Sequence, residues 1–303
     1  FVGDSELSRP TPAYERHTEI IKIIKEELPG REIHRCGFLR LPIDGYVGAY
    51  VEKNGFARIN TGYVVALGET IWAAMNAAKA LKINWNLGEN KNVSSEDIRD
   101  ESVRLQQDPS AGFLWVLEGD TDEAMNNAAT KHSAVYETAI AYHGCHEPMN
   151  CTAYEKDGVW HLHGGNQWFS MAAPTAAAAL GVEADKVVCH QYYAGTGFGR
   201  RTEPDNFILA AQTSNYIKRP VKLVYTREQD VMFDFHRTPT YQVIEGGEEF
   251  GRLTAMNHDV VAGWSTKRAA PGFMPDSVDK KGKVDQFSTN GSDHWYDIPN
   301  HKV

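Results

Sequence analysis

Gly195-Thr196-Gly197-Phe198-Gly199-Arg200-Arg201 sets three alternating glycines ahead of two arginines. Residues without a Cβ let main-chain N–H groups close around a ligand, and nests of such groups favour negative charge. Two guanidiniums directly after the loop can grip a phosphate, or a carboxylate nearby, as planar forks. A tight structural turn produces the same glycine pattern, and a solvated surface pair would produce the same two arginines. The loop is neither common nucleotide loop. It lacks the Gly-Lys-Ser/Thr of a phosphate loop, and its glycine spacing misses the dinucleotide pattern.

A second group of reactive side chains lies upstream. Gln167 follows His161-Leu162-His163-Gly164-Gly165-Asn166, and its amide could donate to an oxo group while its carbonyl accepts a hydrogen bond. Read alone, a glutamine ahead of a helix is better explained by capping or solvent contact. His143, Cys145, His146, Glu147, Cys151, His161 and His163 are dense in ligand atoms, yet their spacings match no standard zinc site and read as ordinary polar groups. The period of two puts His161 and His163 on one strand face. Cys36, Cys145, Cys151 and Cys189 contain no Cys-x-x-Cys pair, which argues against an iron–sulfur cluster or zinc ribbon in this chain. Cys145 and Cys151 are read either as small buried hydrophobes or as a disulfide.

The elements that must hold these residues follow from periodicity. Residues 15–28 read as an amphipathic helix stopped by Pro29-Gly30, with a strand as the competing reading. Val47–Val51 and Tyr63–Ala66 read as strands, Glu69–Leu81 as a helix and Ile83–Trp85 as a short strand. Residues 86–117 are polar and poorly periodic and read as a linker. Beyond them come a helix over 121–130, an extended segment over 132–142 and a strand near 158–163. A helix over Ser170–Leu180 and a strand over Lys186–Gln191 deliver the chain into the glycine loop. A helix over Pro204–Ile217 and a strand over Val221–Tyr225 follow. Tyr241–Ile244 and Leu253–Val261 read as antiparallel strands, and Ala269–Ser292 as an irregular surface loop.

With 303 residues and 42% hydrophobic content the chain can bury a sizeable core in about two domains. A net charge of −9 argues against a nucleic-acid partner, which needs a basic face. No apolar run approaches a membrane span, and no signal peptide opens the sequence.

The loop, His161–Gln167, the Ala-rich helix ending at Leu180-Gly181, Pro220–Glu228 and Tyr296-Asp297-Ile298-Pro299-Asn300 together resemble the molybdenum-binding subunit of the xanthine dehydrogenase and aldehyde oxidase family. Glu147-Pro148-Met149-Asn150-Cys151 and the Gly-Arg-Arg ending look most like its isoquinoline oxidoreductase and membrane-linked aldehyde dehydrogenase branch. The resemblance is strong from residue 117 onward, readable over 62–88 and faint before. It implies an α+β fold: a small hammerhead-like α/β domain over 1–88, a linker over 89–117, and the first part of a molybdopterin-binding domain, with mixed sheets and packed helices, over 118–303.

What the resemblance implies for chemistry is hydroxylation of an aldehyde or N-heterocycle with oxygen from water, the electrons passing to iron–sulfur clusters. The cofactor would be molybdenum–molybdopterin, in its cytosine dinucleotide form, held through pterin sulfurs with no protein side chain on the metal. Gln167, Gly195, Gly197, Phe198, Gly199, Arg200 and Arg201 are the expected cofactor-binding residues, with Gln167 bonding an oxo ligand and Phe198 forming a pocket wall or a core aromatic. Thr196 departs from the three consecutive glycines common in the family and leaves the loop conformation open. Glu228 and Asp230 are expected to be structural. The family's catalytic glutamate lies in a motif beyond Val303, and neither Glu147 nor Glu203 sits in a matching one. The expected partners are the remaining half of the molybdenum subunit, a small iron–sulfur subunit and a cytochrome c subunit, in a periplasmic or periplasm-facing setting. The competing reading is a noncatalytic module that holds or assembles the cofactor.

Overall fold

A computed structural model describes residues 33–34, 38–40, 64–68, 70–80 and 89–303. The expected elements over 15–28, 47–51 and 83–85, and Cys36, lie outside the described residues. The described residues form two compact units: one is built on Tyr142–Phe235 with parts of Arg58–Trp85, the other on residues 89–141 with His236–Val303.

The first unit is centred on a four-stranded mixed sheet. Strands β6 (Asn150–Lys156), β7 (Val159–Gly164), β8 (Val187–Gln191) and β9 (Val221–Val224) lie in the order β8-β7-β6-β9. Asp157 and Gly158 both take positive φ, 54° and 79°, and close β6 and β7 into a hairpin. Burial alternates along both strands. One face carries Cys151, Ala153, Trp160, Leu162 and Val187 against Phe207, Ala210 and Ala211. The last three belong to helix α5 (Asp205–Ile217), and Ala176 and Ala177 of α4 (Phe169–Leu180) join the same core. Alanine on both helices lets their backbones approach the sheet closely. The other face carries Tyr154, His161, His163 and His190. His163 and His190 stack with ring centroids 4.1 Å apart, and His161 Nδ1 lies 2.9 Å from His190 Nε2. His161 and His163 thus share a face, as the alternation predicts.

Strand β8 runs parallel to β7, with Trp160 opposite Val187 and Gly164 opposite Gln191, and α4 is the crossover between them. Parallel pairing brings the two strand C-termini out at one edge. This edge positions the site.

Elsewhere in the first unit, β3 (Val64–Ala66) precedes helix α1 (Ile71–Ala80). These fall within the predicted strand and helix. β3 closes an antiparallel sheet with β1 (Ile33–His34) and β2 (Phe38–Arg40). Helix α6 (Arg227–Met232) opens on a capping box from Thr226 and Gln229.

The second unit holds a five-stranded sheet of β4 (Leu117–Glu118), β5 (Thr130–Thr138), β10 (Thr240–Glu249), β11 (Arg252–Ala262) and β12 (Asn300–Lys302), in the order β4-β12-β11-β10-β5. β10 and β11 pair antiparallel with one register shift between Gly247 and Glu248. Helices α3 (Thr121–Asn127) and α7 (Ser265–Ala269) belong to the same unit.

The segment read as a linker contains a twelve-residue helix, α2 (Ser95–Gln106). Its signal lies in the cap. Ser94 Oγ accepts from Asp97 N at 3.1 Å while the Asp97 carboxylate accepts from Ser94 N at 2.8 Å. No residue of this helix is fully buried, which is why hydrophobic periodicity did not reveal it. Strands β6 and β12 were likewise not read from the sequence.

Candidate cofactor site

The strand C-termini of β7 and β8 lead into two short segments that meet. Gln167 leaves β7 ahead of α4, and Gly195–Gly199 follows β8. Ligands of open α/β sheets commonly bind outside such carboxyl ends. Here the meeting is made by Gln167, whose Oε1 accepts from Gly199 N at 3.1 Å and from Arg201 N at 3.2 Å. Its main-chain N–H also donates to Arg201 O at 2.8 Å. A Cβ on Gly197 would stand against the end of the Gln167 side chain, so only glycine lets that side chain keep its place on the loop. Gly199 has φ of 102°, in the region that favours glycine.

Thr196 and Phe198 also hold positive φ, 71° and 55°, a costly choice for a β-branched and an aromatic residue. The surroundings enforce it. Thr196 Oγ1 accepts from His146 N at 3.0 Å, and Thr196 O accepts from Arg201 Nε at 2.8 Å. The departure from consecutive glycines is therefore accommodated by side-chain and main-chain bonds around Thr196. Phe198 is 53% exposed, so it is not a core aromatic.

Arg200 and Arg201 are each only 1% exposed. The reading as a solvated surface pair is overturned, and so is the reading as a free phosphate clamp, because both guanidiniums are committed within the chain. Arg200 makes a two-pronged pair with Asp205, both contacts at 2.8 Å, and its Nε lies 3.4 Å from Asp234 Oδ1. Arg201 donates to Thr196 O, Gly165 O, Glu147 O and Glu147 Oε2. The carboxylate alternative is the one realised. Burial works against the Arg200 charge, but Asp205, with further help from Asp234, holds its pKa above the ordinary arginine value. Two arginines at the end of a glycine loop announce charge, and sequence alone could not say that it points inward.

Glu147 supports the loop from below. Its Oε2 accepts from Gly195 N at 2.8 Å and from Arg201, and its Oε1 accepts from Asn150 Nδ2 at 3.0 Å. Fully engaged in this way, it is a scaffold group. Asp230 accepts from Met149 N and Arg227, a structural role as expected. Cys145 and Cys151 are free thiols. Cys145 donates to Gly197 O at 3.2 Å, and burial pushes its thiol pKa up.

His143, which the sequence marks only as an ordinary polar group, and Asp234, which it does not single out, complete the corner. His143 directs Nδ1 at Asp234 Oδ1, 2.9 Å away, and its main-chain N–H donates to Asp234 Oδ2 at 2.6 Å. Burial alone would raise the Asp234 pKa, but the His143 hydrogen bonds and the Arg200 charge outweigh it and hold the carboxyl below its ordinary value. No motif marks this pair, since its members lie 91 residues apart.

What remains for a ligand is a small set of donors. Among the described residues, Gly197 N–H, Phe198 N–H and the Gln167 Nε2 amide find no hydrogen-bond acceptor. Three neutral donors beside a half-exposed aromatic suit an oxo-rich, partly anionic group with a flat organic portion.

The molybdopterin cofactor-binding domain model matches residues 106–280. This chain belongs to that family. It is 39% identical over 258 residues to the membrane-bound aldehyde dehydrogenase [pyrroloquinoline-quinone] of Gluconacetobacter polyoxogenes, covering 84% of this chain and 33% of the relative. Similarity to isoquinoline 1-oxidoreductase subunit beta of Brevundimonas diminuta is 25% over 332 residues, covering 95% and 41%. The fold is that of the aldehyde oxidoreductase from Desulfovibrio gigas, with a TM-score of 0.53 at 22% identity over 63% of this chain and 20% of that one. The chain thus spans about a third of the length of the first of these relatives.

Proposed function

We propose that this chain is the molybdenum-cofactor-binding part of a hydroxylase that oxidises aldehydes or N-heterocycles with oxygen from water. The observation that carries this reading is the cluster of three unspent donors, Gly197 N–H, Phe198 N–H and Gln167 Nε2, within the family match. When bound, the molybdopterin group supplies the metal centre that takes two electrons from the substrate.

The residues of this chain divide the remaining work. Gln167 and the two main-chain N–H groups bind and orient oxo and pterin oxygens. Being fixed by the loop, they need no reorganisation as charge shifts. Phe198 presents its ring as a wall against a planar substrate. Arg200, Arg201 and Glu147 hold the loop in its strained form and take no part in binding. Gly195, whose N–H is spent on Glu147, serves the same support.

The same proposal extends to the cytosine dinucleotide form of the cofactor and to partners: the rest of a molybdenum subunit, a small iron–sulfur subunit and a cytochrome c subunit. Relatives that are themselves a subunit beta and a molybdenum-binding subunit support an assembly. A periplasm-facing location is proposed on the name of the membrane-bound relative. Among the described residues no helix is long and apolar enough to cross a membrane. We assign 118–303 to cofactor binding; most of the span 1–88, expected from the sequence to be a hammerhead-like domain, lies outside the described residues. The match over 106–280 supports the assignment to cofactor binding.

The test is elemental analysis of the natively purified complex for molybdenum, iron and zinc. Near-stoichiometric molybdenum with iron is expected. Absence of molybdenum from a folded, complete complex overturns the proposal.

A further inference from the structure

Two buried imidazoles of the second unit each keep a ring nitrogen without a partner. His258 and His301 are 8% and 2% exposed, and among the described residues His258 Nδ1 and His301 Nε2 find no hydrogen-bond partner. Their other nitrogens fix the tautomers. Gln242 Nε2 donates to Thr240 Oγ1 at 3.0 Å, which turns the amide oxygen toward His258, and His258 Nε2 donates to that oxygen at 2.9 Å. His301 donates to the Ser292 main chain, so its proton sits on Nδ1. Both unpartnered nitrogens therefore carry lone pairs. Burying an acceptor without a partner costs free energy, and its place in a fold calls for a reason.

A third donor stands beside them. Met256 lies opposite His301 in the β11–β12 ladder and two residues before His258, so the three side chains share one sheet face. His294 stacks on His301 with ring centroids 4.2 Å apart. Its Nδ1 accepts from Tyr296 N, so Nε2 carries the proton and donates to Met256 Sδ at 3.1 Å. That bond anchors the thioether and uses one of its two lone pairs. Burial first, and then the neighbouring imidazoles, hold His258 and His301 in the neutral form that binds metals. An open groove lined by Ile244, Leu253, Met256 and Tyr296 reaches the methionine from solvent.

We propose that His258 Nδ1, His301 Nε2 and Met256 Sδ form a binding site for one cuprous ion. The donor set decides the metal. Two neutral imidazoles and a thioether, with no carboxylate or thiolate among them, suit a soft, singly charged cation. Among the described residues no three His, Cys, Asp or Glu groups come together as a metal site, so the sulfur is essential to the set. Gln242, the Ser292 main chain and His294 orient the three ligands, the part that outer hydrogen bonds play around bound metals. The stacked histidines of the first unit offer no such set, because His161 Nδ1 and His190 Nε2 are spent on each other. None of the three ligands belongs to the glycine loop, and copper binding here is independent of the hydroxylase reading.

The test titrates the natively purified complex, without oxygen, with Cu(I) held by bicinchoninate, whose colour reports the copper it keeps. The wild-type complex is expected to withdraw one equivalent more than the Met256→Leu complex, a nearly volume-conserving change. Gln242→Leu, which frees the His258 ring, is expected to weaken that equivalent about tenfold, as loss of an orienting partner does. His190→Gln in the first unit is expected to leave it unchanged. X-ray absorption at the copper edge of the wild-type complex should show nitrogen and sulfur neighbours, with the sulfur lost in Met256→Leu. Equal copper uptake by wild type and Met256→Leu, a wild type that withdraws none, or loss of the equivalent in His190→Gln would overturn the proposal. Should Met256→Leu fail to assemble, the wild-type edge decides alone: nitrogen with sulfur supports the site, and nitrogen without sulfur overturns it.

Discussion

The glycine-loop corner and the hairpin of β10 and β11 satisfy their main chains by opposite means. In the hairpin, ten- and eleven-residue strands exchange hydrogen bonds along a ladder broken once, at Gly247 and Glu248. Side chains are free to vary there, because the backbone closes on itself. In the corner, the loop has no ladder. Beside a few main-chain bonds, such as Glu147 N–H to Gly195 O and Arg200 N–H to Gly197 O, its groups and their neighbours end on side chains: Glu147 on Gly195, Gln167 on Gly199 and Arg201, Arg201 on Thr196, Gly165 and Glu147. A loop built this way keeps a strained shape with a few N–H groups to spare, at the cost of resting on particular buried charges.

The sharpest way to break that contrast is Arg200→Met. Removing one partner strands Asp205 and Asp234, and loss of about 3–5 kcal/mol is expected, as for other broken buried pairs. Urea unfolding of the purified complex would read it. A midpoint equal to the wild type's would show that the corner does not depend on the pair.

Gly197→Ala tests the cradle itself. The methyl group drives the Gln167 side chain off the loop, and molybdenum retained per complex should fall about tenfold, the effect of about 1.4 kcal/mol. Full retention would remove Gln167 and Gly197 from the binding residues.

Acid separates the two regions by a different route. In the second unit, burial and the neighbouring imidazoles depress the pKa values of His258 and His301 below the ordinary value. A folded value lower than the unfolded one means that the neutral form is stabilising. That stability is full above about pH 6.5 and is lost as pH falls through the folded values. Asp234 has the same sign, but its window opens only below about pH 3.9. Lowering the pH from 7 to 5 should therefore loosen the β10–β11 sheet while the Asp234 pair persists. Hydrogen exchange at both pH values, with His258→Gln flattening the difference, checks this. Faster exchange at the loop than in the sheet would contradict it.

The smallest effect belongs to the exposed pair Arg104–Glu101 on α2, 2.7 Å apart. Arg104→Ala should leave the urea midpoint unmoved, since exposed pairs contribute little.

Much of the ladder region was legible because alternation and turn residues are local. The strands at Tyr241 and Leu253 were read correctly, though short of their full length, and the helix over 170–180 nearly to the residue. The segment 150–156 escaped although Asp157-Gly158 is a strong hairpin signal, because its small and polar residues look loop-like. Helix α2 escaped because its marker is a cap and not a stripe. In the corner, sequence picked out Gln167, the loop and the two arginines, but the inward turn of those arginines and the His143–Asp234 pair depend on contacts between distant segments. Periodicity carries no information about which buried charge meets which.

The parallel pairing of β7 and β8 has a consequence in time. Gln167 and Gly199 cannot meet until α4 has formed and β8 has docked beside β7, a closure that antiparallel hairpins do not require. The hairpins can zip within microseconds, whereas the crossover must first pay its loop entropy. The loop that receives a cofactor is therefore complete only in a chain whose sheet is complete.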